Sequence, residues 1–220
     1  LIVTQGRSEA EAVFEDLLTF DLPERCVQFP AWEVLPTDAM APADDIAAER
    51  MNALMRVEAA RKSGEAIRMV LPVRSLIQYV VKRDALQKQT VSLAVGEEHD
   101  LEDLVVRLSE MGYDRELMVE QRGQTSVRGG ILDVFPISGE LPYRIEFFGD
   151  EIESIRKFEP ETQRSIGQEK AITILPRSEK AQIQGRDALA PLTQYFADDA
   201  LIVLDEPLAI REEVKKLAAQ

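Results

Sequence analysis

The sequence predicts an α/β chain in which a parallel-sheet domain is interrupted by an inserted α+β domain built on antiparallel β-hairpins. Three observations predict it. The chain opens in the order strand, glycine turn, helix, strand, which is how a parallel α/β sheet begins. A stretch from 125 to 158 is rich in β-formers divided by Gly, Pro and Ser. After Pro176 the pattern returns to α/β, with the apolar run Leu201-Ile202-Val203-Leu204 as a strand. The expected divisions are 1–91, 92–177 and 178–220, the first and last belonging to one domain.

Residues 1–4 (LIVT) read as a short buried strand. Gly6-Arg7-Ser8 leads into a helix, with Ser8 as the expected N-cap and Glu11 as its capping-box partner. Ala12, Val13, Phe14, Leu17 and Leu18 supply that helix with an apolar stripe. Residues 26–29 form a second strand, ended by Pro30. Pro30, Pro36 and Pro42 then break up a connection around Trp32, which reads as a core or inter-domain anchor. A helix follows from Asp44 or Asp45 to about Lys62, stopped by Gly64, and 67–71 is a third strand. Residues 72–75 are expected to cap a helix over 76–82.

From Val91 the composition shifts. VSLAVGEEHD reads as a strand and a turn, and Asp100 caps a helix carrying Leu101, Leu104, Val105 and Leu108, with Gly112 just past its end. His99, among Glu97, Glu98 and Asp100, reads as an exposed turn residue. Residues 126–135 and Tyr143–Phe148 then read as two β-rich runs, with 152–158 as a third. Gly149-Asp150 suits a tight hairpin turn whose first residue needs positive φ. Alternation along Tyr143–Phe148 sends Tyr143, Ile145 and Phe147 one way and Arg144, Glu146 and Phe148 the other. The first set is a core face. The second puts a large aromatic among charges where the strand should meet water, the composition of a binding hot spot. Residues 172–176 close the insert, 188–196 are expected as a helix despite Pro191, and Asp205-Glu206-Pro207 caps a last helix.

Composition narrows the function. A net charge of −14 repels the phosphate backbone, and no Lys/Arg run offsets it. One cysteine and one histidine exclude a disulfide framework and a His/Cys zinc cage. No apolar run approaches the roughly 18 residues that span a bilayer, and no basic segment precedes the opening apolar residues, so a cytoplasmic location is expected. The loop after the first strand, TQGRSEAEA, has one glycine and no lysine, so it does not make a phosphate cradle. LIVLDE looks like the strand whose Asp holds Mg²⁺ in nucleotide hydrolases, but that ion is held largely through the bound phosphates. No catalytic residue, cofactor or metal site is expected. The chain starts inside a predicted strand and ends in the helical pattern EEVKKLAAQ, and is expected to be a piece of a longer protein.

SVRGGILDVFP followed by LPYRIEFFGDEIESIR resembles the domain shared by the bacterial excision-repair protein UvrB and the transcription-repair coupling factors of the Mfd family. In both, that domain docks onto UvrA. FPAWEVLPTDAMAPADDIAAERMNAL and LIVLDEP resemble the Mfd side. UvrB-like proteins carry a phosphate-binding loop and a long aromatic hairpin that probes DNA, and this chain has neither. The resemblance implies the N-terminal UvrB-like module of an Mfd-type protein: a degenerate helicase-like domain without nucleotide binding, interrupted by a UvrA-binding domain, and no enzyme by itself. It would bring UvrA to stalled RNA polymerase, which other domains would engage along with DNA through an ATP-driven motor. The alternative is a fragment of a UvrB-like, nucleotide-dependent DNA damage-recognition protein, which would need ATP at the loop around Gly6.

The family's UvrA-contacting positions carry over as Arg128, Arg144 and Phe148. The two arginines would grip acids on UvrA through guanidinium forks, with Phe148 filling an apolar dent. A bulge at Gly129-Gly130 would aim Arg128 toward the same surface. Alternatively the arginines pair with Glu146, Glu151 or Glu153. Asp133, Phe135 and Pro136 read as structural, at a strand end and turn. Replacing Arg144 or Phe148 by Ala is expected to cost roughly 2 kcal/mol or more in binding and to leave the fold intact. In the family this face is also covered by another domain of the same protein as autoinhibition, and the same intramolecular contact is an expectation here.

Overall fold

A parallel sheet of short apolar strands opens the chain. The structure is a computed structural model that describes residues 1–32, 44–177 and 189–219. The proline connection around Pro36 and Pro42 therefore lies outside the described residues. The described parts of 1–83 and 185–220 form one compact unit, and those of 84–184 another.

The first unit contains β1 (Ile2–Thr4), α1 (Arg7–Phe20), β2 (Cys26–Gln28), α2 (Asp44–Ser63), β3 (Arg68–Pro72), α3 (Val73–Ile77) and β4 (Tyr79–Val81). The chain later returns to it with β13 (Leu189–Pro191), β14 (Val203–Leu204) and α6 (Pro207–Leu217). The order β14-β1-β3-β2 is parallel throughout. Its core joins Val3, Val27, Met69, Val70 and Leu71 with Met51, Leu54 and Val57 of α2, all buried. The helix start differs from the expected one. Gly6 is the N-cap of α1, its carbonyl accepting from the Ala10 N–H at 3.1 Å, and Glu11 is drawn to Arg7 at 2.7 Å instead of back to a cap.

Two expected helices give way to strands. Residues 79–81 and 189–191 pair antiparallel as β4 and β13, with Val80 and Val81 fully buried. β-branched side chains fit a half-buried strand better than a helix, and Pro191 has no N–H to give a helix interior. A single 3₁₀ turn, Leu192–Tyr195, follows and returns the Tyr195 hydroxyl to the Val81 carbonyl at 3.0 Å. Trp32 lies face-on to the buried Arg50 guanidinium, which also covers Phe29, at 4.7 and 4.3 Å.

The second unit contains α4 (Arg83–Gln89), β5 (Val91–Ala94), α5 (Leu101–Glu110) and β6 (Asp114–Arg115). Then come β7 (Gln124–Arg128), β8 (Ile131–Val134), β9 (Tyr143–Phe148), β10 (Glu151–Phe158), β11 (Ser165–Glu169) and β12 (Ala171–Ile174). By compactness the two units divide between Arg83 and Asp84. Arg107 of α5 donates to the Lys88 and Thr90 carbonyls and so ties the end of α4 into the second unit. The Asp100 carboxylate caps α5 by accepting from Asp103 N–H at 3.0 Å, and Gly112 follows its end at φ 90°.

Six strands form one sheet in the order β11-β10-β9-β8-β7-β6, antiparallel except for β6 with β7, and β12 pairs with β5. The run 126–135 is thus not one strand but a hairpin that turns at Gly129-Gly130, with Gly129 at φ 58°. One face of the sheet packs Leu132, Val134, Ile145, Ile152 and Ile155 against Leu104 and Leu108 of α5 and against Val91, Leu93, Ile172 and Ile174. The opposite face carries the candidate site.

Candidate protein-docking face

The register decides which side chains share that opposite face. Asp133 lies across from Arg144 on one side and Ser126 on the other, and Ile131 lies across from Glu146 and Arg128. Directly paired residues point the same way. Arg128, Ile131, Asp133, Arg144, Glu146 and Phe148 therefore stand on one face, and Arg156 joins them across from Arg144. The three residues expected from the sequence are brought onto one surface. No bulge is needed: β7 and β8 pair in unbroken register, and the bulges occur on β10 instead.

The arginines are not equivalent. Arg144 forms a two-pronged bond to Asp133, Nε to Oδ1 and Nη2 to Oδ2, each at 2.8 Å. Its guanidinium stacks over the Phe158 ring at 4.7 Å, and Nη1 donates to the Gln163 carbonyl at 3.3 Å. Arg128 places one nitrogen, Nη2, 2.9 Å from the same Asp133 carboxylate. Exposure of the side chains follows this order: 1% for Asp133, 16% for Arg144 and 53% for Arg128. The Asp133 carboxylate raises the Arg144 guanidinium above its ordinary pKa against the opposing effect of burial. Both arginines thus meet Asp133, and none of the three glutamates expected as partners. Glu146 instead accepts from Arg156 at 2.9 Å and from the Ser154 hydroxyl at 2.7 Å.

The face has a closed end and an open end. At the closed end Val119, Phe135 and Phe158 form a small buried cluster, and the Gln163 amide reaches the Val119 carbonyl at 3.2 Å. At the open end Phe148 is 81% exposed, next to the Gly149 turn at φ 63°. Leu117 is also almost wholly exposed, its carbonyl accepting from the Ser126 hydroxyl at 3.0 Å. Three guanidinium groups meet two carboxylates here, a local positive excess on a chain of net charge −14. The arrangement suits a protein surface that offers acids and an apolar hollow. Among the described residues, no group of three His, Cys, Asp or Glu side chains could hold a metal ion. His99 stays in its turn, its N–H bonded to the Asp150 carbonyl and its ring 3.2 Å from Glu97. No helix among the described residues is long and apolar enough to cross a membrane.

Residues 91–179, which include the whole of this face, match the family described as the UvrB interaction domain. This part of the chain belongs to that family. The chain is also homologous to proteins named transcription-repair-coupling factor: 31% identical over 81% of this chain in Haemophilus influenzae, 38% over 72% in Myxococcus xanthus and 33% over 75% in Staphylococcus aureus. The aligned part is 15%, 13% and 14% of those relatives' lengths. Within the UvrB interaction domain, Asp133 is the residue that sequence reasoning undervalues. A carboxylate two residues beyond Ile131 in ILDV was the available signal, because a turn at Gly129-Gly130 brings it level with Ser126 beside Arg128. Nothing in the sequence marks Gln163.

Proposed function

We propose that this chain is the recruiting module of a transcription-repair coupling factor, binding UvrA through the open face of its UvrB interaction domain. By bringing UvrA to stalled RNA polymerase, it links excision repair to transcription in the cytoplasm. RNA polymerase and DNA would be engaged by other parts of the full-length protein. The parallel-sheet unit is a helicase-like domain that no longer binds or hydrolyses nucleotide. Its one-glycine, lysine-free loop after β1 supports that reading. The observation that carries the proposal is Phe148, a large aromatic 81% exposed at the end of β9, on the same sheet face as Arg128, Arg144 and Arg156.

Exposed aromatics with arginine neighbours are where binding energy concentrates, and truncating one costs roughly 2 kcal/mol or more. The test is a calorimetric titration of the chain with purified UvrA. Wild type should bind, Phe148→Ala should bind at least about 30-fold more weakly, and Arg128→Ala should also bind more weakly. Wild-type binding that neither substitution changes would move the interface off this face.

A further inference from the structure

We propose, building on the UvrA-docking reading above, that Asp133 and Arg144 are positioning residues that do not touch the partner, and that they aim Arg128, which does. A contact residue needs open donors. Hydrogen bonds to Asp133 and Gln163 occupy most of the N–H groups on Arg144, and Phe158 covers one face of its guanidinium. An acid on a partner would have to displace Asp133 to claim the same fork. Asp133 would then be left buried and short of partners, which is strongly unfavourable. Among the described residues Arg128 spends only Nη2 on Asp133, and with its side chain 53% exposed the N–H groups of Nε and Nη1 are left for a partner.

The bonds also show what holds Arg128 in place. A free arginine on a strand end samples many rotamers and loses that freedom on binding. Here one of its nitrogens is fixed to a carboxylate that Arg144 grips from the other side. Arg144 is in turn fixed by Gln163, a non-glycine residue at φ 59°. An L-residue adopts that conformation at some expense, which its bonds to the Val119 and Pro160 carbonyls and to Arg144 offset. The chain Val119–Gln163–Arg144–Asp133–Arg128 runs from the buried cluster to the exposed end of the face.

The substitution that separates the two roles is Arg144→Lys. Lysine keeps the charge but cannot form the two-pronged bond. If Arg144 met UvrA as a charge, lysine would retain most of the affinity. If it positions Arg128, lysine should weaken UvrA binding by about tenfold. That loss should shrink to less than about threefold when Arg128 is already alanine. Asp133→Asn, which keeps the shape of the side chain, should give the same non-additive cycle with Arg128→Ala. Binding is compared between variants that melt cooperatively, so a variant that fails to fold is replaced by the other arm. The association rate adds a second readout: its salt dependence should fall in Arg128→Ala and persist in Arg144→Lys. Equal losses from Arg144→Lys with and without Arg128 would overturn the proposal. So would near wild-type affinity in Arg144→Lys. No binding by wild type would instead overturn the docking reading, and this assignment with it.

Discussion

Arg144 and Phe148 differ by four positions on β9, and the fold depends on only one of them. Phe148 is exposed and belongs to neither buried cluster of the unit. Phe148→Ala should therefore leave the urea midpoint unchanged, whatever it does to binding. Arg144 lies between a fully buried carboxylate and the Phe158 ring. Arg144→Ala would leave Asp133 buried with Arg128 as its remaining ionic partner, and should destabilise the fold by about 2–4 kcal/mol. From the sequence alone this substitution is expected to spare the fold; the Asp133 fork leads to the opposite expectation. A lost midpoint in Arg144→Ala and an unchanged one in Phe148→Ala is the outcome to look for. Equal midpoints would mean that the Asp133 fork contributes nothing.

At the scale of elements, a buried charge ties α2 to Arg83 within the first unit. The Glu58 carboxylate accepts from Arg61 at 2.8 and 3.0 Å and from Arg83 at 2.9 Å. The hydrogen bonds from Arg61, and then those from Arg83, hold its pKa below the ordinary glutamate value against the opposing effect of burial. A depressed folded-state pKa contributes stability that is fully present above the unfolded value of about 4.3. It is lost as pH falls through the folded value. The wild-type urea midpoint should therefore drop between about pH 5 and pH 3. Glu58→Gln should start lower at pH 7 and change less over the same interval; parallel curves for the two would sink the assignment. The hairpins are a second case. β9 is legible in the sequence because its alternation is strict, which by itself puts Arg144, Glu146 and Phe148 on one face. The β7–β8 hairpin is half legible: Gly129-Gly130 marks a turn, but the run on either side is continuous in β-formers.

Across the whole molecule, local pattern reads well and distant pairing does not. The parallel opening, α5 with its Asp100 cap and Gly112 stop, and the shared face of Arg144 and Phe148 all follow from neighbours within a few residues. β4 and β13 escape such reading, because Tyr79–Val81 becomes a strand only beside Leu189–Pro191, more than a hundred positions away. β11 escapes it too, since Ser165–Glu169 has no strand pattern and pairs only because β10 offers an edge. The site shows the same division. Phe148 stands out by exposure on its own strand, whereas the Asp133 fork is a relation among three strands and one loop. The central claim is that UvrA meets the open end of this face, and amide hydrogen exchange on the chain with and without UvrA tests it most directly. UvrA should slow exchange in 126–131 and 146–151 while α1 in the first unit exchanges as before. Slowed exchange in the first unit alone, with both hairpin turns unchanged, would contradict it.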